Sequence, residues 1–251
     1  MRIQDTAAII TGGASGLGEA TARHFADMGA KVTLLDRDAE RGQSVAADIG
    51  ATFVETDVTD EASVAAAISA AKSAMGRITA AVNCAGIATG EKTLGRDGPH
   101  SLAGFKRTID INLVGTFNVA RLAAAEIAQN IAAPDGARGV IINTASIAAF
   151  DGQKGQAAYA ASKGGIVGLS LPMARDLARD GIRVMAIAPG IFMTPMLKGL
   201  PQEVQDSLAQ DVTCPKRLGD PAEYAALARF IIECGYLNGE VIRLDGALRM
   251  Q

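Results

Sequence analysis

A short glycine-rich stretch near the amino terminus most narrowly limits how this chain can fold. Residues 7–10 are apolar and are followed at once by TGGASGLG, residues 11–18, and then by apolar residues at helical spacing. This order predicts a strand, a tight turn and a helix. Gly12, Gly16 and Gly18 would let the backbone approach a pyrophosphate that faces the helix amino terminus. An ordinary tight turn is the alternative, and the flanking strand and helix favour the phosphate-binding turn.

An acidic residue follows the second predicted strand. Residues 31–35 end at Asp36, 18 positions after Gly18. A carboxylate at this place accepts hydrogen bonds from both hydroxyls of an adenosine ribose and repels a 2'-phosphate, so it favours NAD over NADP. Two alternatives remain. Asp36 or Asp38 could simply cap the next helix, and the neighbouring Arg37 could accept a phosphate.

Strands and helices alternate along the rest of the chain. With 251 residues, of which 49% are hydrophobic, this alternation predicts a single α/β domain over residues 1–251. We expect a Rossmann-type, doubly wound parallel sheet of about seven strands with helices on both faces. The further predicted strands are residues 52–56, 80–83, 140–144, 182–188 and 241–244.

The carboxyl ends of the strands are where such sheets bind ligands. Asp57 and Val58 fall at the end of the third strand, and Asn83, Cys84, Ala85 and Gly86 follow the fourth. The small residues of the second loop would let its backbone lie flat against a nucleotide, although a packed turn explains them as well.

Four segments carry more specific expectations. Residues 90–102 are a polar surface insertion near the mouth of the site. A long helix over residues 103–130 contains Asn112, which either anchors a water or a backbone carbonyl near the site or is an unremarkable polar position. Pro172 should bend or locally break the helix that runs to about residue 179. Residues 191–210 have mixed signals and are interpreted as a mobile, partly helical flap over the substrate.

A serine, a tyrosine and a lysine after the fifth strand suggest proton transfer. Ser146 stands just beyond the strand, and Tyr159 and Lys163 are four residues apart at a helix start. A free phenol has a pKa of about 10, so few tyrosines are ionised at neutral pH. A lysine on the same helix face would lower that pKa, and Ser146 would hydrogen-bond a substrate oxygen as its charge develops. A solvated surface pair is the alternative for Tyr159 and Lys163 taken alone.

The net charge and the cysteine content indicate which binding partners and which cellular compartment to expect. A net charge of -3 and a pI of about 5.5 give no basic footprint for nucleic acid or an anionic membrane. No apolar stretch reaches the roughly 18 residues typical of a membrane span. Only six residues precede the first apolar run, and the three cysteines are dispersed without metal-ligand spacing. We therefore expect a cytoplasmic protein with free thiols and no metal.

Together these motifs resemble the short-chain dehydrogenase/reductase family over essentially the whole chain. TGGASGLG, Asp57, NCAG, Asn112, Ser146, YAASK from Tyr159, and Pro189-Gly190 occur in that family's order. The resemblance implies that Tyr159 is the acid/base and that Ser146 orients the substrate oxygen. It also implies that Lys163 lowers the pKa of Tyr159 and holds the nicotinamide ribose, with Asn112 positioning Lys163 through a water relay.

Longer stretches are similar to the 3-hydroxyacyl-CoA dehydrogenases of that family. They are NCAGIA, GVIINTAS, GQAAYAASKGGIVGL, RLGDPAEYA and LNGEVIRLDGALRMQ. This similarity implies a homotetramer that interconverts a secondary alcohol and a ketone with NAD, most plausibly on a short or branched 3-hydroxyacyl-CoA. It implies substrate contacts from Gln153 and Gln156. The implied NAD contacts are Ser15, Leu17, Asp36, Asp57, Val58, Cys84, Tyr159, Lys163, Phe192 and Thr194.

Rival functions remain open at this level. A 3-oxoacyl-carrier-protein reductase, a hydroxysteroid dehydrogenase and a sugar-alcohol dehydrogenase belong to the same class, and Asp36 argues against an NADP-linked reductase. A non-catalytic scaffold is the alternative from another class. The intact set of Ser146, Tyr159 and Lys163 disfavours it.

Overall fold

Seven parallel strands form the central sheet of the computed structural model, which describes residues 1–199 and 201–250. Their spatial order is β3-β2-β1-β4-β7-β8-β9, so the predicted doubly wound α/β fold is confirmed. The strands are β1 (Ala7–Thr11), β2 (Lys31–Asp36), β3 (Thr52–Glu55), β4 (Ala80–Asn83), β5 (Leu94–Gly95), β6 (Gly98–Pro99), β7 (Gly139–Thr144), β8 (Ile182–Pro189) and β9 (Val241–Leu244). The winding direction reverses between β1 and β4, and a ligand crevice forms at such a reversal.

Helices cover both faces of this sheet because both faces are apolar. Successive strand residues point to opposite sides, so Ile9 packs in one core layer and Ile10 in the other. The helices are α1 (Gly16–Asp27), α2 (Ala39–Ile49), α3 (Glu61–Met75), α4 (Leu102–Ile109), α5 (Gly115–Ile127), α6 (Ala157–Asp176), α7 (Pro195–Lys198), α8 (Gln202–Gln210) and α9 (Pro221–Glu233). Buried residues of α3, α5 and α6 fill the layer of Ile9, and those of α1, α2 and α9 fill the layer of Ile10. None of the helices in the described part of the chain is long and apolar enough to cross a membrane.

The predicted unbroken helix over residues 103–130 was wrong in detail. α4 ends at Ile109, a wider π-helical turn covers Asp110–Val114, and α5 then runs to Ile127. Such turns often lie at functional sites. Here the turn contains Asn112, which is fully buried.

Pro172 lies inside α6 without breaking it, so of the two expected effects the local break is wrong and a bend stays a prediction. The helix continues through Pro172 and ends at Asp176, earlier than predicted, before a short 3-10 turn at Ala178–Asp180. A proline removes one intrahelical hydrogen bond. Met173 and Ala174 are buried in the core beside it, and this packing holds the rest of the helix in place.

Two other segments, residues 90–102 and 191–210, contain regular secondary structure. The insertion at residues 90–102 contains the antiparallel pair β5–β6, and the Glu91 N–H donates to the Gly155 carbonyl at 2.8 Å. The predicted flap, residues 191–210, contains α7 and α8, while Leu200 lies outside the described residues. Its partly helical character is confirmed, and its mobility stays a prediction.

Candidate active site

The backbone of the glycine turn packs closely against the residues after β4 and joins β1 to α1. A Cβ atom on Gly12 would lie 2.9 Å from the main chain of Cys84 and Ala85, and Gly12 has a φ of +64°. A Cβ atom on Gly18 would lie 2.1 Å from the Gly12 carbonyl oxygen. The Ser15 side chain caps no backbone group of α1. The first N–H groups of the helix are therefore not capped by Ser15 and are available to bind a pyrophosphate.

Gly18→Ala is expected to distort this turn. The methyl group cannot fit 2.1 Å from the Gly12 oxygen, so the helix and the turn must separate. We expect a loss of about 1–3 kcal/mol in the free energy of unfolding, together with weaker cofactor binding. Chemical unfolding and a cofactor titration measure both effects. Gly168→Ala in α6 is the matched control, since a Cβ atom there meets no described atom within 4 Å, and it should not lower stability.

Asp36 lies against the glycine turn. One carboxylate oxygen accepts from the Ala14 N–H at 3.0 Å, and the other accepts from the Asp38 N–H at 3.1 Å. The cap of α2 is Asp38, whose carboxylate accepts from the Arg41 N–H at 3.1 Å. The capping alternative therefore applies to Asp38 and not to Asp36.

Arg37 is turned towards the neighbouring strand end. Its Nε is 3.7 Å from an Asp57 carboxylate oxygen. The other Asp57 oxygen accepts from the N–H and the hydroxyl of Thr59 at 3.0 and 2.7 Å, and these bonds lower the pKa of Asp57. Next to it, buried Val58 accepts a bond on its carbonyl from Asn118 at 3.0 Å. Arg37 thus faces a carboxylate, which weakens its attraction for a 2'-phosphate.

The predicted serine, tyrosine and lysine meet at the carboxyl end of β7. Ser146 is buried, and its Oγ accepts from the Ala148 N–H at 3.1 Å, which starts the short turn Ile147–Ala149. The Ser146 hydroxyl lies close enough to the Tyr159 side chain to act on its ionisation. The Lys163 Nζ lies 5.8 Å from the centre of the Tyr159 ring and donates to the Thr144 carbonyl at 2.7 Å. A solvated surface pair is ruled out, because Lys163 is only 5% exposed.

Burial dominates the ionisation of these groups. It raises the pKa of Tyr159 above 10, while Ser146 acts in the opposite direction. It lowers the pKa of Lys163 from 10.5 to about 8, partly offset by Cys84. Lys163 therefore remains mostly protonated at neutral pH. A lowering of the Tyr159 pKa by Lys163 stays a prediction.

The Asn112 side chain is hydrogen-bonded to the loop that follows β4. Its Oδ1 accepts from the Ile87 N–H at 2.8 Å, and its Nδ2 donates to the Ile87 carbonyl at 2.9 Å and to the Ser162 hydroxyl at 3.1 Å. A Cβ atom on Gly86 would lie 3.1 Å from Asn112 Oδ1 and 3.7 Å from Lys163 Nζ. Asn112 is thus a specific anchor beside the site, and the water relay to Lys163 stays a prediction.

Two polar residues near the site, Thr144 and Tyr224, were not predicted from the sequence. The hydroxyls of Thr144 and Tyr224 lie 2.7 Å apart, and each is 3.6 Å from the Cys84 sulfur. Tyr224 is fully buried, and burial raises its pKa well above 10. The carbonyl of the same Thr144 accepts a hydrogen bond from the Lys163 ammonium, so α9 is linked to Lys163 through Thr144. A tyrosine at core spacing in α9 is the only signal the sequence contains.

The other predicted cofactor residues lie at or after the carboxyl ends of the strands or at the start of α1. The Thr194 methyl group lies 3.6 Å from the Cβ position of Gly16, which places the start of the flap against the glycine turn. Asn83 differs, because its Nδ2 donates at 2.9 Å to Asn143 of the adjacent strand and its side chain is buried. The remaining positions are partly buried Leu17 and Ala85, buried Phe192, and Pro189 at the end of β8.

Gln153 and Gln156 lie in the loop between Ser146 and Tyr159. The Gln156 side-chain oxygen accepts from the Gln153 N–H at 3.0 Å, and Gln153 is exposed. Gln156 directly precedes α6, the helix that contains Tyr159. Their contact with substrate stays a prediction.

Comparison with known proteins gives a consistent family. The family model described as short chain dehydrogenase matches residues 6–205. The chain is 56% identical over 253 residues to 3-hydroxyacyl-CoA dehydrogenase type-2 of Homo sapiens, covering 99% of this chain and 97% of that protein. It is 36% identical to levodione reductase of Leifsonia aquatica, covering 98% of this chain and 94% of that protein.

Solved structures agree with this result. 3-hydroxyacyl-CoA dehydrogenase type-2 from Mycobacterium avium has a TM-score of 0.93 at 47% identity, with 98% of this chain and 96% of that chain covered. 3-ketoacyl-(acyl-carrier-protein) reductase from Brucella melitensis, complexed with NADH, has a TM-score of 0.86 at 31% identity, with 97% and 98% covered. The predicted resemblance is confirmed. The chain belongs to the short-chain dehydrogenase family and is an oxidoreductase that works with a nicotinamide cofactor.

Proposed function

We propose that this enzyme interconverts a 3-hydroxyacyl-CoA and the 3-oxoacyl-CoA with NAD, acting on short or branched acyl chains. The observation that carries the reaction type is the grouping of Tyr159 with Ser146 and the buried Lys163. The substrate class is supported by relatives from Bos taurus to Drosophila melanogaster that are named 3-hydroxyacyl-CoA dehydrogenase type-2 and share 53–56% identity.

Tyr159 and Ser146 have different roles in the proposed reaction. When bound, the nicotinamide serves as acceptor of the carbinol hydride. Tyr159 removes the hydroxyl proton during oxidation and returns it to the ketone oxygen during reduction. Ser146 donates a hydrogen bond to that oxygen as negative charge develops. The raised pKa of Tyr159 in the free protein keeps its phenol protonated, which is the form needed for reduction.

The residues present fit a nicotinamide dinucleotide. Gly12 and Gly18 leave no side chain between the crevice and the backbone of the turn, and the α1 amino terminus is available for the pyrophosphate. Asp36 would bind the adenosine ribose, and Lys163 the nicotinamide ribose. Asp36 and the pairing of Arg37 with Asp57 support NAD as the form used.

Asp36→Asn should relax the choice between NAD and NADP. The asparagine oxygen can still accept from the Ala14 N–H, its NH2 group can no longer accept from the Asp38 N–H, and the charge that repels a 2'-phosphate is lost. Removing a like-charge repulsion of about 1–3 kcal/mol should lower the NAD/NADP ratio of kcat/KM by about 10- to 100-fold. Initial rates with both cofactors measure the ratio. Asp38→Asn is the control, and an unchanged ratio in Asp36→Asn would contradict the assignment.

The substrate proposal is tested by a screen that follows NADH absorbance. The substrates are 3-hydroxyacyl-CoAs of graded chain length, the matching carrier-protein thioesters, hydroxysteroids and simple secondary alcohols. We expect the highest kcat/KM with a short or branched acyl-CoA. A higher value with a carrier-protein thioester or a steroid would overturn the substrate and leave the reaction type standing, whereas no turnover of any alcohol would overturn both. The homotetramer and the cytoplasmic location stay predictions, to be checked by light scattering and cell fractionation.

A further inference from the structure

A second cavity lies at the opposite edge of the sheet from Ser146 and Tyr159. It has a volume of about 780 Å³. Its walls come from the amino ends of the strands, at Asp5, Thr79, Gly139 and Ile182, while the reacting groups lie at the carboxyl ends. Ligand sites typically have volumes of about 300–1,000 Å³. The cavity is thus large enough for a small molecule and separate from the nicotinamide crevice.

Arginines are concentrated in this cavity although the protein is acidic overall. Five of the sixteen arginines of the chain line it. Two of them have carboxylate partners, since Arg2 bonds Asp5 at 2.8 Å and Arg179 lies 3.7 Å from Asp180. The other three are Arg77, Arg138 and Arg183.

These three guanidiniums donate only to main-chain carbonyls. Arg77 donates to the Asp5 carbonyl at 2.9 Å, Arg138 to Asn130 and Asp180, and Arg183 to Leu237, Ile231 and Ile232. Within residues 1–199 and 201–250, none of the three has a carboxylate oxygen within 4 Å. The carbonyl partners orient the guanidiniums, but they carry no net charge. The arginines that line the cavity therefore outnumber its two lining carboxylates, Asp5 and Asp135, although Asp135 also acts on Arg183.

The remaining acidic group does not cancel this charge. Asp135 is exposed, and its Oδ1 accepts from the Ala137 N–H at 3.1 Å. Arg138 and Arg183 are partly buried, and burial lowers the pKa of Arg183. A partly buried cation in a concave wall attracts anions more strongly than one in open solvent, and each guanidinium has five N–H donors.

We propose that this cavity binds a small anion that carries a phosphate or pyrophosphate group. The planar guanidinium matches two phosphate oxygens at once, which explains arginine in place of lysine: no lysine lines the cavity. The ligand is either inorganic phosphate or pyrophosphate, or the phosphate end of a nucleotide. The site is independent of the proposed reaction.

Titration calorimetry on the whole enzyme tests this proposal. Phosphate, pyrophosphate and ADP are titrated separately in saturating NADH, which occupies the nicotinamide site. We expect one saturable site per chain, with an affinity that falls as salt is added. Tighter binding of ADP than of pyrophosphate identifies a nucleotide site, and equal binding identifies a site for the phosphate groups alone.

Variants locate the binding. Arg77→Gln and the double variant Arg77→Gln/Arg138→Gln keep a side-chain N–H donor at each position and should weaken binding at least about tenfold, as expected for the loss of charge-assisted bonds. Arg96→Gln, an exposed arginine of the hairpin, is the control and should bind as the unaltered enzyme does. Unfolding midpoints and turnover show whether each variant is folded. If the double variant does not fold, Arg77→Gln alone still tests the proposal. No saturable binding, binding that NADH abolishes, or equal affinity in Arg77→Gln would overturn the proposal.

Discussion

Tyr159→Phe is expected to reduce kcat by about 10³-fold or more while leaving NADH affinity nearly unchanged. The substitution removes one oxygen atom, so the ring keeps its packing and only the proton donor and acceptor is lost. General acid–base groups contribute about 10²- to 10⁴-fold to enzyme rates. Steady-state rates in both directions measure the loss, and calorimetric titration with NADH measures the affinity.

Tyr236→Phe is the matched control for this variant. Tyr236 is fully exposed, so the same chemical change there should leave kcat, KM and NADH affinity as they are. Turnover by Tyr159→Phe within about tenfold of the unaltered enzyme would rule out Tyr159 as the acid/base, because that is less than the smallest typical contribution of such a group.

Lys163→Met is expected to have opposite effects on activity and stability. Activity should fall by about 10²-fold or more, since no cation is left beside Tyr159 or the nicotinamide ribose. Burial lowers the pKa of Lys163 from 10.5 to about 8, which corresponds to about 3 kcal/mol of destabilisation by the buried charge. The lost bond to the Thr144 carbonyl offsets part of the gain, by about 1 kcal/mol. The cofactor-free variant should therefore be more stable than the unaltered protein at pH 7.

The sign of the pH dependence follows from the same shift. Between about pH 8 and 10.5 the unfolded state binds more protons at Lys163 than the folded state, so the unaltered protein gains stability as the pH rises. Lys163→Met has no ammonium at this position and does not gain stability in this way. The difference in free energy of unfolding between the variant and the unaltered protein should therefore shrink over that pH range. Urea unfolding of both proteins at several pH values measures the difference, with the exposed Lys106→Met as control. A constant difference across the range would show that the ammonium is not destabilised by burial.

Features that depend on neighbouring residues in the chain were predictable from the sequence. The glycine turn is one, because a strand, three glycines and a helix occur in direct succession. The start of α9 is another: Asp220 and Glu223 form a reciprocal capping box, and Pro221 opens the helix. The approach of Tyr159 and Lys163 follows from their spacing on one helix face, and the strand order placed Ser146 at the same edge.

Features that depend on distant contacts were not predictable. Thr144 and Tyr224 are 80 positions apart and meet only because β7 and α9 pack together. The π-helical turn around Asn112 has no sequence signal of its own, since it is stabilised by the loop after β4 and by Ser162. The helix is not broken at Pro172 because the burial of Met173 and Ala174 in the core offsets the loss of one hydrogen bond.

The placement of the three tyrosines makes the catalytic proton visible to absorbance spectroscopy. The chain has no tryptophan, so the side-chain absorbance at wavelengths longer than the phenylalanine bands comes from Tyr159, Tyr224 and Tyr236. Tyr224 stays protonated through the accessible alkaline range because burial raises its pKa well above 10. Tyr236 can be removed by Tyr236→Phe without disturbing a packed contact, since it is fully exposed. In that variant the tyrosinate absorbance that grows with pH belongs to Tyr159, and its displacement on adding NAD gives a direct optical reading of how far the cofactor shifts the ionisation of the catalytic phenol.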